Sequence, residues 1–444
     1  MMEKPTVNVV TLGCSKNLVD SEKVLSMLSD RGFVAVHQTD QPTDIVIVNT
    51  CGFIGDAKEE SVDEILRFAQ AKEDGLIKEL YVMGCLSERY RSDLRTEMPE
   101  VDRFYGKFDW ESLADDLAAA HPTQIKTYAP AVNKHRMVTT GPSHAYLKIA
   151  EGCDRFCSFC AIPLITGRFH SRTIDEIVSE AEDLASQGVT ELNVIAQDLS
   201  SYGRDLPGGH SRLAELVERL AGIDKIRWIR LHYAYPADFP MDVLDVMARE
   251  PKVCEYLDIA LQHASDKVLA NMRRHITAAE TRDLIAEMRR RVPGIHIRTT
   301  LMTGFPGEGE AEFEELMTFA REMRFERMGA FAYCEEEGTY GARNFADDIP
   351  QGVKQERLDR LMALQEEISQ EIQNEKVGRI VEVVVDREDD DYYVCRTQWD
   401  SPEVDPEVLV RKTEKLVPGS YLDVVVEEAY PFELIASPAK PAGE

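Results

Sequence analysis

The sequence of 444 residues has few basic residues, few cysteines and no long hydrophobic run. Its 51 lysines and arginines are outnumbered by 80 acidic residues, which gives a net charge of -29. This imbalance disfavours general attraction to nucleic-acid phosphates and favours a basic partner. Because the apolar run near the N-terminus is too short for a signal peptide or a membrane span, we expect a cytoplasmic protein with no membrane association.

The nine cysteines are poor candidates for a disulfide framework, because a reducing compartment keeps thiols free. Cysteines that cluster in such a protein indicate metal or redox chemistry instead. The spacing of the cysteines therefore matters more than their number.

The pattern of apolar residues divides the chain into four segments. Residues 1–120 alternate strand-like and helical runs, which predicts an α/β domain with a doubly wound parallel sheet. Residues 121–143 are polar and contain three prolines, as expected of a linker. Residues 144–375 contain six β-like runs separated by helical ones and end in a connecting helix. A closed eight-unit barrel typically needs about 250 residues, so we predict an open, partial (β/α)6 barrel.

Residues 376–444 form the fourth segment, in which short β-runs alternate with polar turns. This pattern is typical of a small antiparallel β-barrel. The segment contains 8 basic and 16 acidic residues. An RNA-binding barrel should be basic, so we expect a basic protein partner, unless the acidity only keeps the surface soluble.

The stretch "AEGCDRFCSFCAIP" places Cys153, Cys157 and Cys160 directly after the first predicted barrel strand. Active sites of α/β barrels form at this end of the strands. Three thiolates leave one metal position open for a ligand that is not protein. An open position of this kind indicates a catalytic metal site rather than a structural one. The alternative is a structural zinc site completed by His144 or His170.

A second set of cysteines ends three predicted strands of the N-terminal segment, at Cys14, Cys51 and Cys85. Parallel strands deliver their carboxyl ends to one edge of a doubly wound sheet, so these thiols could converge. Adjacent glycines permit sharp turns and a close approach to a bulky inorganic group. The alternative is three structural cysteines in tight turns.

Together these motifs resemble the methylthiotransferase family of radical S-adenosylmethionine enzymes. The CxxxCxxC motif, with Phe159 before its last cysteine, resembles the superfamily signature. The resemblance extends to "GFPGE" at 304–308 and to "AYCEEEGTYGA" from 332. It also includes the C-terminal barrel, which resembles a TRAM domain. The resemblance implies S-adenosylmethionine, two molecules per turnover, and two 4Fe-4S clusters. One cluster would be held by Cys153, Cys157 and Cys160, and the auxiliary one by Cys14, Cys51 and Cys85.

Within the family, "LGCSKNLVDSEK", "RLHYAYP" and "YLDIALQHASDKVLANMRR" are similar to the branch that modifies an aspartate of the twelfth protein of the small ribosomal subunit. The tRNA-modifying branch typically has "GCQMN" and "QSGS" where this chain has "GCSKN" and "QHAS". Ser15 and Thr166 depart from the first branch, which usually has proline and arginine there. The resemblance implies a basic ribosomal protein as partner, an electron donor and no direct binding of nucleic acid.

The mechanism that the resemblance implies begins with reductive cleavage of S-adenosylmethionine, and the 5'-deoxyadenosyl radical takes hydrogen from the aspartate β-carbon. The auxiliary cluster then delivers a methylated sulfur to that carbon. Alternatives are the same chemistry on tRNA adenosine, a radical methyltransferase without sulfur insertion, and a non-catalytic iron-sulfur or zinc protein that senses redox state.

Polar residues at barrel strand ends are candidates for binding the cofactor. We predict that Gln197, Arg230, Gln262 and Arg298, with Phe159, contact S-adenosylmethionine. The remaining cysteines have no partner at metal-ligand spacing and are predicted to be structural. They are Cys254, Cys334 and Cys395.

Overall fold

The computed structural model describes residues 5–122 and 136–439, so most of the predicted linker lies outside the described residues. The N-terminal unit is an α/β sandwich. Its elements are β1 (Thr6–Thr11), α1 (Ser15–Asp30), β2 (Val34–His37), β3 (Ile45–Thr50), α2 (Gly55–Glu73), β4 (Glu79–Gly84), α3 (Cys85–Glu97), β5 (Arg103–Phe104) and α4 (Trp110–Ala120).

All five strands of this unit are parallel, in the order β2-β1-β3-β4-β5, with an apolar core on each face of the sheet. The predicted doubly wound sheet is confirmed. The sequence did not indicate β2 and β5, because β2 is a short, partly exposed edge strand and β5 has two residues. The strand order reverses between β1 and β3, the position where ligands bind in such sheets.

The central unit begins with β6 (His144–Lys148) and ends with a long helix. The intervening elements are β7 (Ala150–Glu151), α5 (Ile162–Thr166), β8 (His170–Ser171), α6 (Ile174–Ser186), β9 (Glu191–Ile195), α7 (Leu213–Ala221), β10 (Trp228–Ala234), α8 (Asp242–Arg249), β11 (Val253–Ile259), α9 (Asp266–Asn271), α10 (Ala278–Arg291), β12 (His296–Thr303), α11 (Glu310–Met323), β13 (Arg327–Ala332), α12 (Tyr340–Asn344) and α13 (Gln351–Asn374).

Six of these strands form one parallel sheet in the order β6-β9-β10-β11-β12-β13, which confirms the predicted open (β/α)6 barrel. Strands β6 and β9 are buried at every position, whereas β13 at the edge of the sheet is partly exposed. On β9, Leu192 and Val194 pack in the apolar core with the helices, whereas Glu191 and Asn193 alternate with them and make polar contacts. The amino ends of α6 and α10 are fixed by capping boxes of Thr173 with Glu176 and Thr277 with Glu280.

The C-terminal unit is a closed barrel of β14 (Ile380–Glu388), β15 (Tyr392–Thr397), β16 (Glu407–Arg411), β17 (Tyr421–Tyr430) and β18 (Glu433–Pro438). Four of its five strand pairs are antiparallel, as predicted, and the pair β16–β18 is parallel. A closed ring of five strands cannot alternate direction all the way round, so one parallel pair is unavoidable. The connecting helix α13 packs against the central unit at β13 and α11 and also reaches β17. None of the helices in the described ranges is long and apolar enough to cross a membrane.

The C-terminal barrel covers the amino ends of the central strands through buried ion pairs. The carboxylate of Glu191, at the start of β9, binds Arg396 at 2.9 Å and Arg230 at 3.1 Å. Arg327, at the start of β13, binds Asp400 at 2.5 Å. Burial alone would raise the pKa of Glu191, but the two guanidinium groups outweigh it and hold the pKa at about 2. The C-terminal barrel thereby leaves the carboxyl ends of the strands, where active sites of α/β barrels form, uncovered.

Replacement of Glu191 by glutamine is expected to destabilise the protein, because it leaves the buried guanidinium of Arg230 without a counter-charge and leaves Arg396 with Asp386 alone. We expect a loss of roughly 3 to 5 kcal/mol in the free energy of unfolding at pH 7. The pKa of Glu191 is lowered by folding, so its contribution is complete above the ordinary value of 4.5 and is lost as the pH falls towards about 2. The difference between variant and wild type should therefore shrink over that interval in denaturation experiments.

The matched control is Glu382→Gln, which breaks an exposed ion pair with Arg227 between the same two units. It should cost about 1 kcal/mol or less. Equal losses for the two variants would show that the buried network does not stabilise the protein.

Candidate active site

The first predicted cysteine set lies in the loop between β7 and α5. This loop is tightly folded: the Cys153 amide donates to the Gly167 carbonyl at 3.3 Å, and the Cys160 amide donates to the Cys157 carbonyl at 3.1 Å. Burial, with smaller contributions from Asp198 and Cys157, raises the pKa of Cys153 to about 12. Burial and the neighbouring Cys157 also raise the pKa of Cys160. Buried thiols such as Cys153 and Cys160 become favourable as thiolates once a cationic metal centre binds among them.

Arg274 contacts this cysteine set directly, although its sequence position gave no signal. Its Nη1 donates to Cys157 Sγ at 3.2 Å, and its guanidinium lies 4.1 Å from the ring centroid of Tyr235. The Tyr235 hydroxyl donates to the Arg274 carbonyl at 2.7 Å and fixes the loop after α9. Arg155 also lies close to this ring, 4.2 Å from the Tyr235 centroid, and binds Asp198.

The second predicted cysteine set is brought together at the carboxyl edge of the N-terminal sheet. Cys14 precedes α1, Cys51 follows β3 and Cys85 begins α3, and β1, β3 and β4 are adjacent strands. The backbone at Gly13 has a φ of +88°, and a Cβ there would lie 2.8 Å from Cys51 Sγ, so only glycine fits. Burial, with smaller contributions from Cys14, raises the pKa of Cys51 and raises that of Cys85 to about 12.

A single zinc ion fits neither set. His144 lies at the amino end of β6, where burial lowers its pKa to about 4, and His170 has a side chain that is 84% exposed and faces Asp205. Within the described ranges, no group of three His, Cys, Asp or Glu side chains has the spacing for one metal ion. The thiolates of a cubane cluster bind different irons, so they need not point at one centre.

Both cysteine sets lie at one junction between the N-terminal and central units. Helix α3, which begins at Cys85, packs against α5, which follows Cys160. Asp20 of α1 accepts from Lys107 of the N-terminal unit at 2.7 Å and from Lys148 of β6 at 2.5 Å. Burial alone would raise the pKa of Asp20, but the two ammonium groups lower it.

This chain of charges connects the two cysteine loops. Lys107 interacts electrostatically with Cys85 at one end, and Lys148 binds Glu151 at 2.7 Å at the other, two residues before Cys153. Because every member is largely buried, loss of any one would leave an uncompensated charge at the junction. The network therefore fixes the position of one loop relative to the other.

The "AYCEEEGTYGA" stretch also forms part of this junction. The Glu336 carboxylate, 2% exposed, binds Lys58 of α2 at 2.9 Å and Arg89 of α3 at 3.0 Å. Cys334 is exposed beside Gly55 of α2. The other two predicted structural cysteines, Cys254 and Cys395, are buried in apolar clusters.

Three of the predicted cofactor contacts lie near the first cysteine set or at the carboxyl ends of the strands. Gln197 follows β9 and donates to Glu151, and Gln262 follows β11 with a φ of +73°. Each has a buried Oε1 that no donor of the described residues reaches. Phe159 packs edge-on against Phe305, with ring centroids 6.3 Å apart. Unsatisfied buried acceptors at this position suit a ligand that carries ammonium or hydroxyl donors.

Arg230 and Arg298 contact the C-terminal barrel instead. Arg230 is fully buried and donates to Glu191 and to the carbonyls of Gln398 and Thr397. Arg298 Nε donates to Asp405 at 3.2 Å. Both face the interior of the partial barrel, as strand alternation suggested, but they lie nearer its covered end. These contacts do not favour the cofactor role that the sequence predicted for the two arginines.

Comparisons with known proteins agree with this architecture. Residues 6–106 match the Uncharacterized protein family UPF0004, residues 147–320 the Radical SAM superfamily and residues 377–438 the TRAM domain. Among solved structures, the radical S-adenosylmethionine methyltransferase TsrM from Kitasatospora setae has a similar fold. The TM-score is 0.55 at 14% identity, covering 77% of this chain and 74% of that one.

Two relatives match almost the entire chain. The "Ribosomal protein uS12 methylthiotransferase RimO" of Phocaeicola vulgatus is 53% identical, covering 98% of this chain and 100% of the relative. The protein of the same name from Porphyromonas gingivalis is 54% identical, covering 98% and 99%.

The partial barrel, the cysteine loop after its first strand and the three family matches define a radical S-adenosylmethionine enzyme of the methylthiotransferase type. Radical enzymes of this superfamily use S-adenosylmethionine and a 4Fe-4S cluster. With more than half of its residues identical over nearly its full length, the chain belongs to the RimO family of methylthiotransferases. The predicted family is confirmed.

Gly152 offers a test of the first cysteine loop, because a Cβ on it would overlap the Arg168 carbonyl. We expect Gly152→Ala to displace Cys153 and to reduce both bound iron and the formation of 5'-deoxyadenosine from S-adenosylmethionine. The control is Gly167→Ala, which has a similar φ of +74° but no atom within 4 Å of the new Cβ. It should retain most of both properties. Equal losses would mean that backbone strain, and not the close approach at Gly152, explains the effect.

Proposed function

We propose that the protein adds a methylthio group to the β-carbon of an aspartate in ribosomal protein uS12. The observation that carries this proposal is the meeting of two incomplete cysteine sets at one domain junction, in a chain of the RimO family. A reaction that needs both a carbon radical and a sulfur donor requires two such centres within reach of one substrate side chain. The names of the relatives supply the substrate protein, and the branch motifs supply the aspartate.

Two 4Fe-4S clusters are part of the proposal. Cys153, Cys157 and Cys160 would hold the radical-core cluster. Cys14, Cys51 and Cys85 would hold the auxiliary cluster. When bound with S-adenosylmethionine, the first cluster supplies the electron for reductive cleavage and the auxiliary one supplies the sulfur. Three thiolates on each cluster leave one iron open to a ligand that is not protein.

The roles of this chain's other residues follow from their contacts. We assign Gln197 and Gln262 to S-adenosylmethionine, because their buried carbonyl oxygens lack donors among the described residues. Phe159 would line the same site. Arg230 and Arg298 are assigned to the interface with the C-terminal barrel. We keep residues 1–120 as the auxiliary-cluster domain, 121–143 as linker, 144–375 as radical core and 376–444 as TRAM domain.

The charge of the protein supports a basic protein substrate. The C-terminal segment has a net charge of -8, from 8 basic and 16 acidic residues, and the whole chain has -29. A nucleic-acid substrate would meet repulsion over most of this surface, whereas a ribosomal protein rich in lysine and arginine would be attracted. The proposal includes a cytoplasmic location and an external electron donor. Methylthiolation of tRNA adenosine is the second candidate, and product analysis separates the two.

Anaerobically reconstituted protein with reductant and S-adenosylmethionine is expected to methylthiolate uS12 at one aspartate, as measured by peptide mass spectrometry. The same assay on tRNA should give no product. Modification of tRNA with none on uS12 would contradict the proposal. Wild-type protein should contain about eight irons, and Cys51→Ala about four with loss of the product. Cys334→Ala, which removes an exposed thiol outside both sets, should leave the iron content unchanged.

The hydrogen bond from Arg274 to Cys157 predicts a redox effect. A cationic donor on a ligating sulfur favours the more negative, reduced form of a cluster, so Arg274→Gln should lower the reduction potential of the radical-core cluster. The measurement is a redox titration monitored by electron paramagnetic resonance in the Cys51→Ala background. Arg273→Gln is the control, since that guanidinium stacks on Tyr340 instead. An unchanged or raised potential in Arg274→Gln would refute this role.

A further inference from the structure

Lys16 is a largely buried residue at the domain junction, and its ammonium group has no carboxylate partner among the described residues. Its side chain belongs to a residue that is 8% exposed, and its Nζ lies 3.1 Å from the ring centroid of Tyr233. Among the described residues no carboxylate oxygen lies within 4.0 Å of this nitrogen, whereas Lys107 and Lys148 at the same junction share Asp20. A buried cation is costly without a counter-charge, and the aromatic face offsets only part of that cost.

The position of Lys16 connects the auxiliary cysteine set with the open end of the partial barrel. It stands two residues after Cys14, in the first turn of α1, and this turn contains no acidic residue. Tyr233 is the penultimate residue of β10, at the carboxyl end of the strand. The amino end of α1 adds its own positive potential to that of the ammonium group. Lys16 therefore joins the start of α1, beside the auxiliary cysteine set, to the carboxyl end of β10.

The acidic group that interacts electrostatically with Lys16 is Asp258, which already has other partners. Asp258 accepts from the Tyr233 amide at 3.3 Å and interacts more strongly with Arg298 than with Lys16. His232, beside Tyr233, is buried, and burial together with Arg230 and Arg298 lowers its pKa. The lowered pKa favours the neutral ring, which supplies no counter-charge to Lys16. The N–H donors of Lys16 remain available to a ligand.

We propose that Lys16 binds the side-chain carboxylate of the aspartate that is modified, an inference that rests on the proposed function. The carboxylate is bonded to the carbon that reacts, so it has to enter the junction together with that carbon. A buried carboxylate needs a cationic donor there, and Lys16 supplies one that no protein carboxylate in the described ranges neutralises. The neutral amide of asparagine would leave the ammonium group without a counter-charge, so Lys16 is a specificity-determining residue for aspartate.

Binding of uS12 peptides to the cluster-loaded protein tests this role without requiring turnover. One peptide carries the target aspartate and the other carries asparagine in its place. Wild-type protein should bind the aspartate peptide at least about tenfold more tightly. Lys16→Met, similar in length but neutral, should lose this preference, and Lys16→Arg should keep most of it.

The matched control is Lys23→Met, which removes a lysine of the same helix that lies near Trp110 instead. It should keep the wild-type preference for aspartate. The inference is overturned if Lys16→Met retains that preference, or if wild-type protein modifies uS12 yet binds both peptides equally. Failure of the proposed function would look different, because wild-type protein would then modify no aspartate in uS12.

Discussion

One carboxylate, that of Asp20, accepts hydrogen bonds from a lysine of each of two structural units, and the geometry of the junction depends on it. Buried ions of this kind contribute little net stability, but they tolerate few arrangements, since a misplaced partner leaves a bare charge in a dry interface. Asp20, Lys107, Lys148 and Glu151 thus specify how the N-terminal sheet meets the partial barrel. The consequence is a fixed relation between two cysteine loops whose chemistry would fail if they moved apart.

The two ends of the partial barrel have different tasks. At the amino ends of its strands the C-terminal barrel closes the opening with buried ion pairs such as Glu191 with Arg396. At the carboxyl ends the strands lead to the cysteine loop and to Gln197 and Gln262, whose side-chain oxygens accept no hydrogen bond from the described part of the chain. Because the C-terminal barrel covers the amino ends of the strands, water is kept from entering the interior on that side. This cover protects a reactive species at the carboxyl ends.

The sequence predicted those features that depend on local spacing. The CxxxCxxC loop, the cysteines at strand ends and the count of six strand-helix units all follow from residues close together in the chain. The sequence did not predict features that depend on contacts between residues far apart in the chain. Arg230 and Arg298 point inwards, as alternation suggested, but their partners Gln398 and Asp405 lie 168 and 107 positions away. The contact of the Lys16 ammonium group with the Tyr233 ring and the charge network around Asp20 also join residues that are far apart in the sequence, so the sequence did not predict them.

The central claim is that two iron-sulfur clusters face each other across this junction. Electron paramagnetic resonance of the fully reduced protein tests it most directly, with single-cluster spectra taken from Cys51→Ala and Cys157→Ala. The account predicts that the wild-type spectrum differs from the sum of the two single-cluster spectra, because neighbouring spins interact. A wild-type spectrum equal to that sum, with relaxation unchanged for either cluster, would contradict it.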